Sequence, residues 1–134
     1  MFLTGRSHRL LAAAALAAAG LLAAACDSVA RQTPLAAETD AIALAALPAQ
    51  GQRTWRLIHS GGPFPSEKDG QVFGNRERRL PQHKRGYWRE YTVPTPGVQG
   101  RGARRIVCGG AQPAKPDACY YTADHYSSFK KITP

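Results

Sequence analysis

A single helical stretch followed by a series of short β-prone segments restricts the fold of this 134-residue chain more than any other feature. A helix is predicted from Pro48 to His59, because a short apolar stripe follows the proline and Gly61-Gly62-Pro63 stops it. Turn residues at hairpin spacing separate the β-prone segments, which predicts antiparallel pairing. These segments are 71–73, 87–93, 104–108, 119–123 and 128–132. A helix followed by a run of strands indicates an α+β domain.

The amino-terminal part of the chain differs in composition from the rest. Residues 6–9 are mostly basic, residues 10–25 are rich in Ala and Leu, and three alanines end this run at a small-residue cleavage site. This pattern predicts that residues 1–25 are a signal peptide, and the apolar run is short for a membrane span of about 20 residues. Residues 26–47 are Ala-rich with little apolar bulk to bury and are predicted to form a tether. Residues 48–134 are then the folded domain.

Three cysteines bear on where the protein works. Cys26 directly follows the predicted cleavage site, where a bacterial lipoprotein signal places its lipidated cysteine. Two alternatives stay open: lipidation of Cys26, or ordinary cleavage nearby, for instance after Ala30. The expected location is therefore secreted or lipid-anchored in the bacterial envelope. The odd count favours lipidation slightly, because Cys108 and Cys119 would then pair with each other in an oxidising compartment. Neither of these two has a CxxC partner, so no metal site is expected.

The excess positive charge lies on the predicted folded domain. The whole chain carries a formal charge of +9, and residues 48–134 carry the same charge, from 15 basic and 6 acidic side chains. A polyanion is the natural partner of such a domain, either a nucleic acid or an anionic surface. The alternative is that the charge serves only solubility.

The hairpin formed by the segments 87–93 and 104–108 carries charged side chains that could meet. Because side chains alternate along a strand, Glu90 can face Arg105 on the neighbouring strand. Such a cross-strand ion pair contributes a fraction of a kcal/mol and requires no function. His125 by itself is equally uninformative, since most histidines are not catalytic. From spacing alone, the purely structural interpretation is the better one.

A set of short strings along the chain is more informative than any single residue. The strings are Gly62-Pro63-Phe64-Pro65, Asp69-Gly70, Val72-Phe73-Gly74-Asn75-Arg76-Glu77, Leu80-Pro81, Glu90-Tyr91-Thr92-Val93, Thr95-Pro96-Gly97, Arg101-Gly102, Arg104-Arg105-Ile106 and Tyr121-Thr122-Ala123-Asp124-His125-Tyr126. In this order and spacing the chain resembles the small secreted microbial ribonucleases of the barnase type, and most closely their guanyl-specific branch. The resemblance covers roughly residues 47–132.

This resemblance implies a helix packed on a twisted antiparallel sheet, and an enzyme that cuts single-stranded RNA on the 3′ side of guanosine. Neither a metal nor another cofactor is expected. Glu90 matches the family's general base, His125 its general acid, and Arg101 and Arg105 the arginines that hold the phosphate. The chemistry agrees, because the 2′-OH must lose a proton, the 5′-oxygen must gain one, and guanidinium groups fit the phosphoryl oxygens. The product of this step is a 2′,3′-cyclic phosphate.

The resemblance also implies how the base is bound. Guanine is expected against the loop that holds Phe73, Gly74, Asn75, Arg76 and Glu77, where backbone N–H groups and the Glu77 carboxylate can bond it. Tyr126 and Phe73 are the expected stacking or phosphate-edge aromatic residues. Gly74 stands where a side chain is more usual in the family. The alternative for Glu77 is a surface ion pair with the arginines beside it.

Two rival functions stay open beside the ribonuclease. One is a non-catalytic, basic RNA- or surface-binding lipoprotein with the same fold, which would need to keep only the arginines. The presence of Glu90 and His125 together with Arg101 and Arg105 separates the enzyme from this binder. The other is a toxin with the same chemistry, delivered to competitors. A monomer is expected, and whether a dedicated protein inhibitor is a partner also stays open.

Overall fold

The computed structural model of the chain describes residues 40–134. In this range one α-helix, α1, covers Ala49–Ser60, and the strands are β1 (Ala41–Ala43), β2 (Gln71–Val72), β3 (Trp88–Thr92), β4 (Arg105–Gly109), β5 (Ala118–Thr122) and β6 (Lys130–Thr133). These elements confirm the predicted α+β class. The predicted signal peptide, the lipidation site Cys26 and residues 26–39 of the predicted tether lie outside the described residues. None of the helical segments between residues 40 and 134 has the length and apolar character that crossing a membrane requires.

The ends of helix α1 follow from the residues that flank it. Pro48 precedes the helix in an extended conformation, with φ −52° and ψ 149°. Gly61 ends it with φ 82°, a left-handed conformation that glycine adopts without steric cost. The N–H of Gly61 donates to the carbonyl of Ile58 and that of Gly62 to the carbonyl of Leu57, at 3.2 and 2.9 Å. This pair of bonds is a Schellman motif, and it satisfies carbonyls that the helix itself leaves free.

The strands form one six-stranded sheet in the order β1-β6-β5-β4-β3-β2. The pairs from β2 to β6 are antiparallel, which confirms the hairpin prediction, whereas β1 pairs with β6 in parallel. Thr54 of α1 donates to the carbonyl of Thr92 at 3.1 Å and so ties the helix to the end of β3.

Strand β1 lies within the segment that the sequence assigned to the tether. Ala41, Ile42 and Ala43 pair with residues 131–133 of β6, and Leu47 is 3% exposed in the core. The folded structure therefore begins several residues before the predicted boundary at Pro48. Backbone hydrogen bonds to a strand about 90 residues away stabilise this segment. The tether prediction rests on the small side chains of the segment, and side-chain size does not reveal backbone pairing with a distant strand.

Each face of the sheet carries its own hydrophobic cluster. The helix-side cluster packs under α1 and consists of Leu47, Ile58, Tyr91, Val93, Ile106, Cys108, Cys119, Tyr121 and Ile132. The loop-side cluster lies on the opposite face and consists of Leu80, Trp88, Val107, Tyr120 and Phe129. Alternation along β3 and β4 places Glu90 and Arg105 on the loop side, next to Trp88 and Val107. The loop side of the sheet therefore carries charged side chains at one end and the apolar loop-side cluster at the other.

A disulfide joins Cys108 of β4 to Cys119 of β5, as the sequence predicted. The two residues are direct cross-strand partners with Cα atoms 4.1 Å apart, and each is at most 5% exposed. The bond closes the hairpin loop of residues 109–118 from within the helix-side cluster.

Removing this disulfide is expected to lower the free energy of unfolding by about 3 kcal/mol. The bond restricts the unfolded chain by closing a loop of this length, and without it the unfolded state regains that conformational entropy. The double variant Cys108→Ala/Cys119→Ala can be compared with the wild type by guanidinium denaturation, with the unfolding free energy taken from the midpoint and the m-value together. The wild type under reducing conditions is the control, since it loses the same bond while both cysteine side chains are kept. A double variant with an unchanged midpoint would contradict the stabilising role of the bond.

Candidate active site

Glu90 lies near the middle of β3, on the loop side of the sheet. Its side chain is 15% exposed, and its two carboxylate oxygens have different partners. Arg101 donates from Nη2 to Oε1 at 3.1 Å, and the hydroxyl of Tyr126 donates to Oε2. The carboxylate is therefore held by one cation and one phenol.

The strand register corrects the expected pairing of Glu90 with Arg105. Glu90 lies opposite Val107, and Arg105 lies opposite Thr92, so the two charged residues are diagonal neighbours. The arginine that pairs with Glu90 comes instead from the turn between β3 and β4, at Arg101. The length of this turn sets the register, and the alternation pattern alone could not reveal it.

Arg101 is fixed on both sides of its guanidinium. Its Nε donates to the hydroxyl of Thr92 at 2.9 Å while Nη2 contacts Glu90. The side chain is 25% exposed. Gly102 follows with φ 63°, and a Cβ there would lie 3.0 Å from Oγ1 of Thr95, so this close turn requires glycine.

Arg105 is buried, with 3% of its surface exposed. Its Nη1 lies 2.8 and 2.9 Å from the carbonyl oxygens of Arg104 and Gly102, and 3.3 Å from that of Arg101. The guanidinium carbon lies 6.0 Å from the centre of the Tyr126 ring, within range of a cation–π interaction. No carboxylate pairs with Arg105 among the described residues. A buried cation without an anion is suited to receive one from a ligand.

The loop after β5 presents His125 and Tyr126 in an unusual backbone conformation. Their φ angles are 53° and 71°, and two consecutive left-handed residues other than glycine are strained by about 1–3 kcal/mol each. Asp124 holds the loop, because its carboxylate accepts from the Thr122 hydroxyl at 2.9 Å and from Ser128 N–H and hydroxyl at 2.9 and 2.6 Å. The Ser128 hydroxyl in particular holds the pKa of Asp124 below its usual value.

A cavity of about 340 Å³ opens beside this cluster. It is lined by Phe73, Gly74, Asn75, Arg76, Glu77, Arg79, His125, Tyr126 and Phe129. The ring centroid of Tyr126 lies 4.9 Å from that of Phe73 and 4.8 Å from that of His125. One side of the cavity is therefore aromatic, and the loop opposite supplies polar groups. This composition suits a flat, polar, aromatic ligand.

The loop of residues 74–80 is closed by its own side chains. Asn75, at φ 48°, donates to the carbonyl of Leu80 at 2.9 Å and accepts from its N–H at 3.1 Å. The Asn75 side chain thus shapes the loop, which leaves backbone groups to meet a ligand. Glu77 forms an ion pair with Arg79 at 3.1 Å, and its side chain is 73% exposed. The ion pair with a neighbouring arginine, which is the alternative interpretation of Glu77, is therefore present. Glu77 nevertheless also lines the cavity.

The structure places the predicted site residues in two groups that share Tyr126. In the first group Glu90 contacts Arg101 and Tyr126, and Arg105 lies over the Tyr126 ring. In the second group His125 and the residues from Phe73 to Glu77 line the cavity. The sequence did not identify Asp124, Arg79 and Phe129 as site residues. The spacing of Asp124 and Ser128 was the one available signal, since an aspartate often accepts from nearby N–H and hydroxyl groups in a loop. Among residues 40–134, no three acidic, His or Cys side chains gather in a group that could hold a metal.

Comparison with known proteins decides the family. The family model described as ribonuclease matches residues 30–133. The chain belongs to the ribonuclease family. The resemblance seen in the sequence is thereby confirmed, and the match includes the residues of strand β1.

Relatives of this ribonuclease-family chain include two curated proteins of Kitasatospora aureofaciens. Guanyl-specific ribonuclease Sa3 is 54% identical over 91 residues, which are 68% of this chain and 62% of that protein. The match to guanyl-specific ribonuclease Sa is 50% over 91 residues, or 91% of that protein. The chain thus spans less than two thirds of Sa3 and most of Sa. The structure of ribonuclease Sa2 in complexes with mononucleotides superposes with a TM-score of 0.66 at 44% identity, covering 72% of this chain and 95% of that one.

Tyr126 gives this ribonuclease-family domain a pH dependence that can be tested. Burial, together with the hydrogen bond to Glu90, raises the pKa of Tyr126 to about 12, above the value of about 10 in an unfolded chain. The folded state therefore keeps a proton that the unfolded state releases. Its contribution to stability is complete below about pH 10 and is lost as the pH rises towards 12.

The variant Tyr126→Phe is expected to lose less stability than the wild type between about pH 10 and 12. Denaturant unfolding at each pH measures this difference. Some fall remains in the variant, because burial also raises the pKa values of Tyr87, Tyr91, Tyr120 and Tyr121. Equal pH slopes in the two proteins would show that the phenol of Tyr126 does not contribute.

Proposed function

We propose that this chain is an endoribonuclease that cleaves single-stranded RNA on the 3′ side of guanosine by transesterification, without a metal. One observation carries the proposal. The Glu90 carboxylate is held between Arg101 and Tyr126, with the His125 ring beside Tyr126 and the buried Arg105 behind it. The side chains proposed as base, acid and phosphate-binding cations are thus connected through Tyr126, which with His125 also lines the cavity.

In the proposed first step, Glu90 takes the proton of the ribose 2′-OH as this oxygen attacks the adjacent phosphorus. The bond from phosphorus to the 5′-oxygen breaks, and His125 gives its proton to that oxygen. The products are a 2′,3′-cyclic phosphate and a free 5′-hydroxyl. Arg101 and Arg105 supply guanidinium groups for the charge that builds on the phosphoryl oxygens.

In the proposed second step, water opens the cyclic phosphate and the two groups exchange roles. His125 takes a proton from the water, and Glu90, protonated in the first step, returns its proton to the 2′-oxygen. DNA lacks the 2′-hydroxyl nucleophile and is therefore not a substrate. The His125 ring is exposed and lies at the rim of the cavity, where both a leaving group and water can reach it.

The proposed guanine preference rests on the cavity and on the relatives that are named guanyl-specific. Guanine presents two adjacent donors, N1–H and N2–H, that one carboxylate can accept together, and Glu77 is the carboxylate in the cavity wall. Adenine has an unprotonated N1 at that edge and would face the carboxylate unfavourably. Phe73 and Tyr126 provide aromatic surface for the base.

Glu77→Ala is expected to reduce the preference for guanosine over adenosine by roughly tenfold to a hundredfold, the effect of losing one charge-assisted pair. The measurement is the ratio of kcat/KM values on GpC and ApC for wild type and variant. Glu67→Ala, which removes an exposed carboxylate outside the cavity, is the control. An unchanged ratio would mean that the backbone alone selects the base and that Glu77 serves only Arg79.

We also propose that the protein is exported from a bacterial cell. Residues 1–25 would direct the chain out of a bacterial cell, and Cys26 would either carry lipid or be removed with the signal peptide. Intact-mass measurement of protein isolated from membranes and from the medium distinguishes the two. A protein that keeps residues 1–25 in both fractions would contradict export.

Digestion of a defined RNA with analysis of product ends is the direct test of the activity. Fragments that end in guanosine 2′,3′-cyclic phosphate, formed in the presence of EDTA, are expected. The non-catalytic RNA- or surface-binding alternative predicts binding to RNA with no fragments at all. Cleavage that requires a divalent cation would overturn the proposed mechanism.

A further inference from the structure

A second cavity, of about 350 Å³, lies next to the first. It is lined by Gly74, Asn75, Arg76, Arg78, Gln82 and His83. The segment from Gly74 to Arg76 lines both cavities, so the two are adjacent along this segment. A chain-like ligand that fills the first cavity would need to cross only this segment to enter the second.

The second cavity is lined by cations and contains no carboxylate. Arg76 and Arg78 contribute guanidinium groups, and Gln82 contributes an amide that can both donate and accept. Arg78 is set in place by the turn, with φ 54° and an N–H that donates to the carbonyl of Asn75 at 3.0 Å. The neighbouring carboxylate of Glu77 is paired with Arg79. The positive charge of this cavity is therefore available to an anion.

His83 gives the cavity a flat aromatic wall. Its ring stacks on Tyr87 with centroids 3.6 Å apart and planes 14° apart. Tyr87 is itself supported, since it packs edge-on against Trp88 and donates to Asp117 at 3.1 Å. A ring held in this way can stack on a nucleobase of any identity, because every base has a π-face.

We propose that the second cavity binds the nucleotide on the 5′ side of the guanosine, with Arg76 and Arg78 on its phosphate and His83 and Gln82 on its base. This inference rests on the proposed function. None of the groups assigned to the scissile phosphate, Glu90, Arg101, Arg105 and His125, lines this cavity. The RNA on the 3′ side of guanosine must pass those groups, which leaves the 5′ side for a cavity that borders the base-binding loop.

Short RNA substrates test this assignment. Wild type is expected to cleave UpGpC with a kcat/KM about tenfold higher than GpC, from one stacked base and one phosphate contact, mainly through a lower KM. Arg78→Asn removes the charge with a residue that tolerates a left-handed backbone, and His83→Ala removes the stacking surface. Each variant is expected to lose several-fold of the UpGpC gain and to keep the wild-type rate on GpC. Arg53→Asn, on the exposed face of α1 across the sheet, is the charge-matched control.

Several outcomes would overturn the subsite. Active enzyme that gains nothing from the 5′ extension has no such site. Equal losses on GpC and UpGpC in the variants would mean a general effect of charge. If the variants lose instead a rise of kcat/KM from GpC to GpCpU, the cavity binds the nucleotide on the 3′ side.

Failure of the proposed function is distinguishable from failure of the subsite. If the wild type does not cleave GpC, the proposed activity is wrong. Binding of an RNA trinucleotide still tests whether the second cavity is a nucleotide site. Fluorescence anisotropy with labelled UpGpC containing 2′-deoxyguanosine is then the measurement. Weaker binding by Arg78→Asn and His83→Ala than by Arg53→Asn supports the cavity, and equal binding by all three overturns it.

Discussion

Replacing Glu90 by glutamine is expected to lower kcat/KM for RNA by about a thousandfold, within the range of about 10²–10⁴ for general acid–base groups. The amide keeps the size of the carboxylate. Its oxygen can still accept from Arg101 and its NH2 group can donate to the Tyr126 hydroxyl, so the fold should be retained. It cannot take the proton of the 2′-OH. The measurement is the initial rate on GpC, together with the unfolding midpoint as a check of structure. Glu67→Gln, an exposed carboxylate elsewhere on the domain, should leave the rate unchanged.

The partner of this variant is His125→Gln, which is expected to be comparably damaging for transesterification. In the wild type, kcat/KM should follow a bell-shaped curve against pH, because one group must be ionised as a base and the other protonated as an acid. EDTA should not change the rate. Full activity in the double variant, or loss of wild-type activity with EDTA, would refute the assigned roles.

Arg105→Lys is expected to reduce both activity and stability. Lysine cannot reach the carbonyl oxygens of Gly102 and Arg104 with the planar geometry of a guanidinium, so at least one partly buried acceptor loses its partner. The cost is about 1–3 kcal/mol of unfolding free energy. Activity should fall by about a hundredfold or more, because the phosphoryl charge loses one preorganised donor.

Arg104→Lys is the matched control, since it makes the same substitution one residue earlier, at a side chain that is not fully buried. Guanidinium denaturation and kcat/KM on GpC, measured on both variants, separate the two effects of Arg105. Wild-type activity and stability in Arg105→Lys would mean that a point charge is sufficient and that the buried fork has no special role.

Local residue choices determined much of the secondary structure. Pro48 and Gly61 set the ends of helix α1 because one has a fixed φ and the other a left-handed backbone. The β-prone segments appeared as strands within one or two residues of the predicted bounds, since the turn residues between them restrict the chain locally. The partners Cys108 and Cys119 also followed from the sequence, because two cysteines at the ends of one hairpin loop have few alternatives.

Tertiary structure alone decided three features. Strand β1 forms only because β6 offers a free edge to residues 41–43, and a short Ala-rich segment has no local signal for this. The register of β3 and β4 places Glu90 opposite Val107, and Glu90 forms its ion pair with Arg101 rather than with Arg105. The loop at Asp124 forces His125 and Tyr126 into left-handed conformations that their own preferences disfavour.

The placement of the site therefore depends on contacts between residues far apart in the chain. Tyr126 reaches Glu90 across 36 residues, and Phe73 packs on Tyr126 from a different loop. Sequence patterns record the residue types that chemistry requires, whereas distances between them arise from the register of the sheet and the closure of its loops. The residues of the site were thus determined by the sequence, and their partners by the fold.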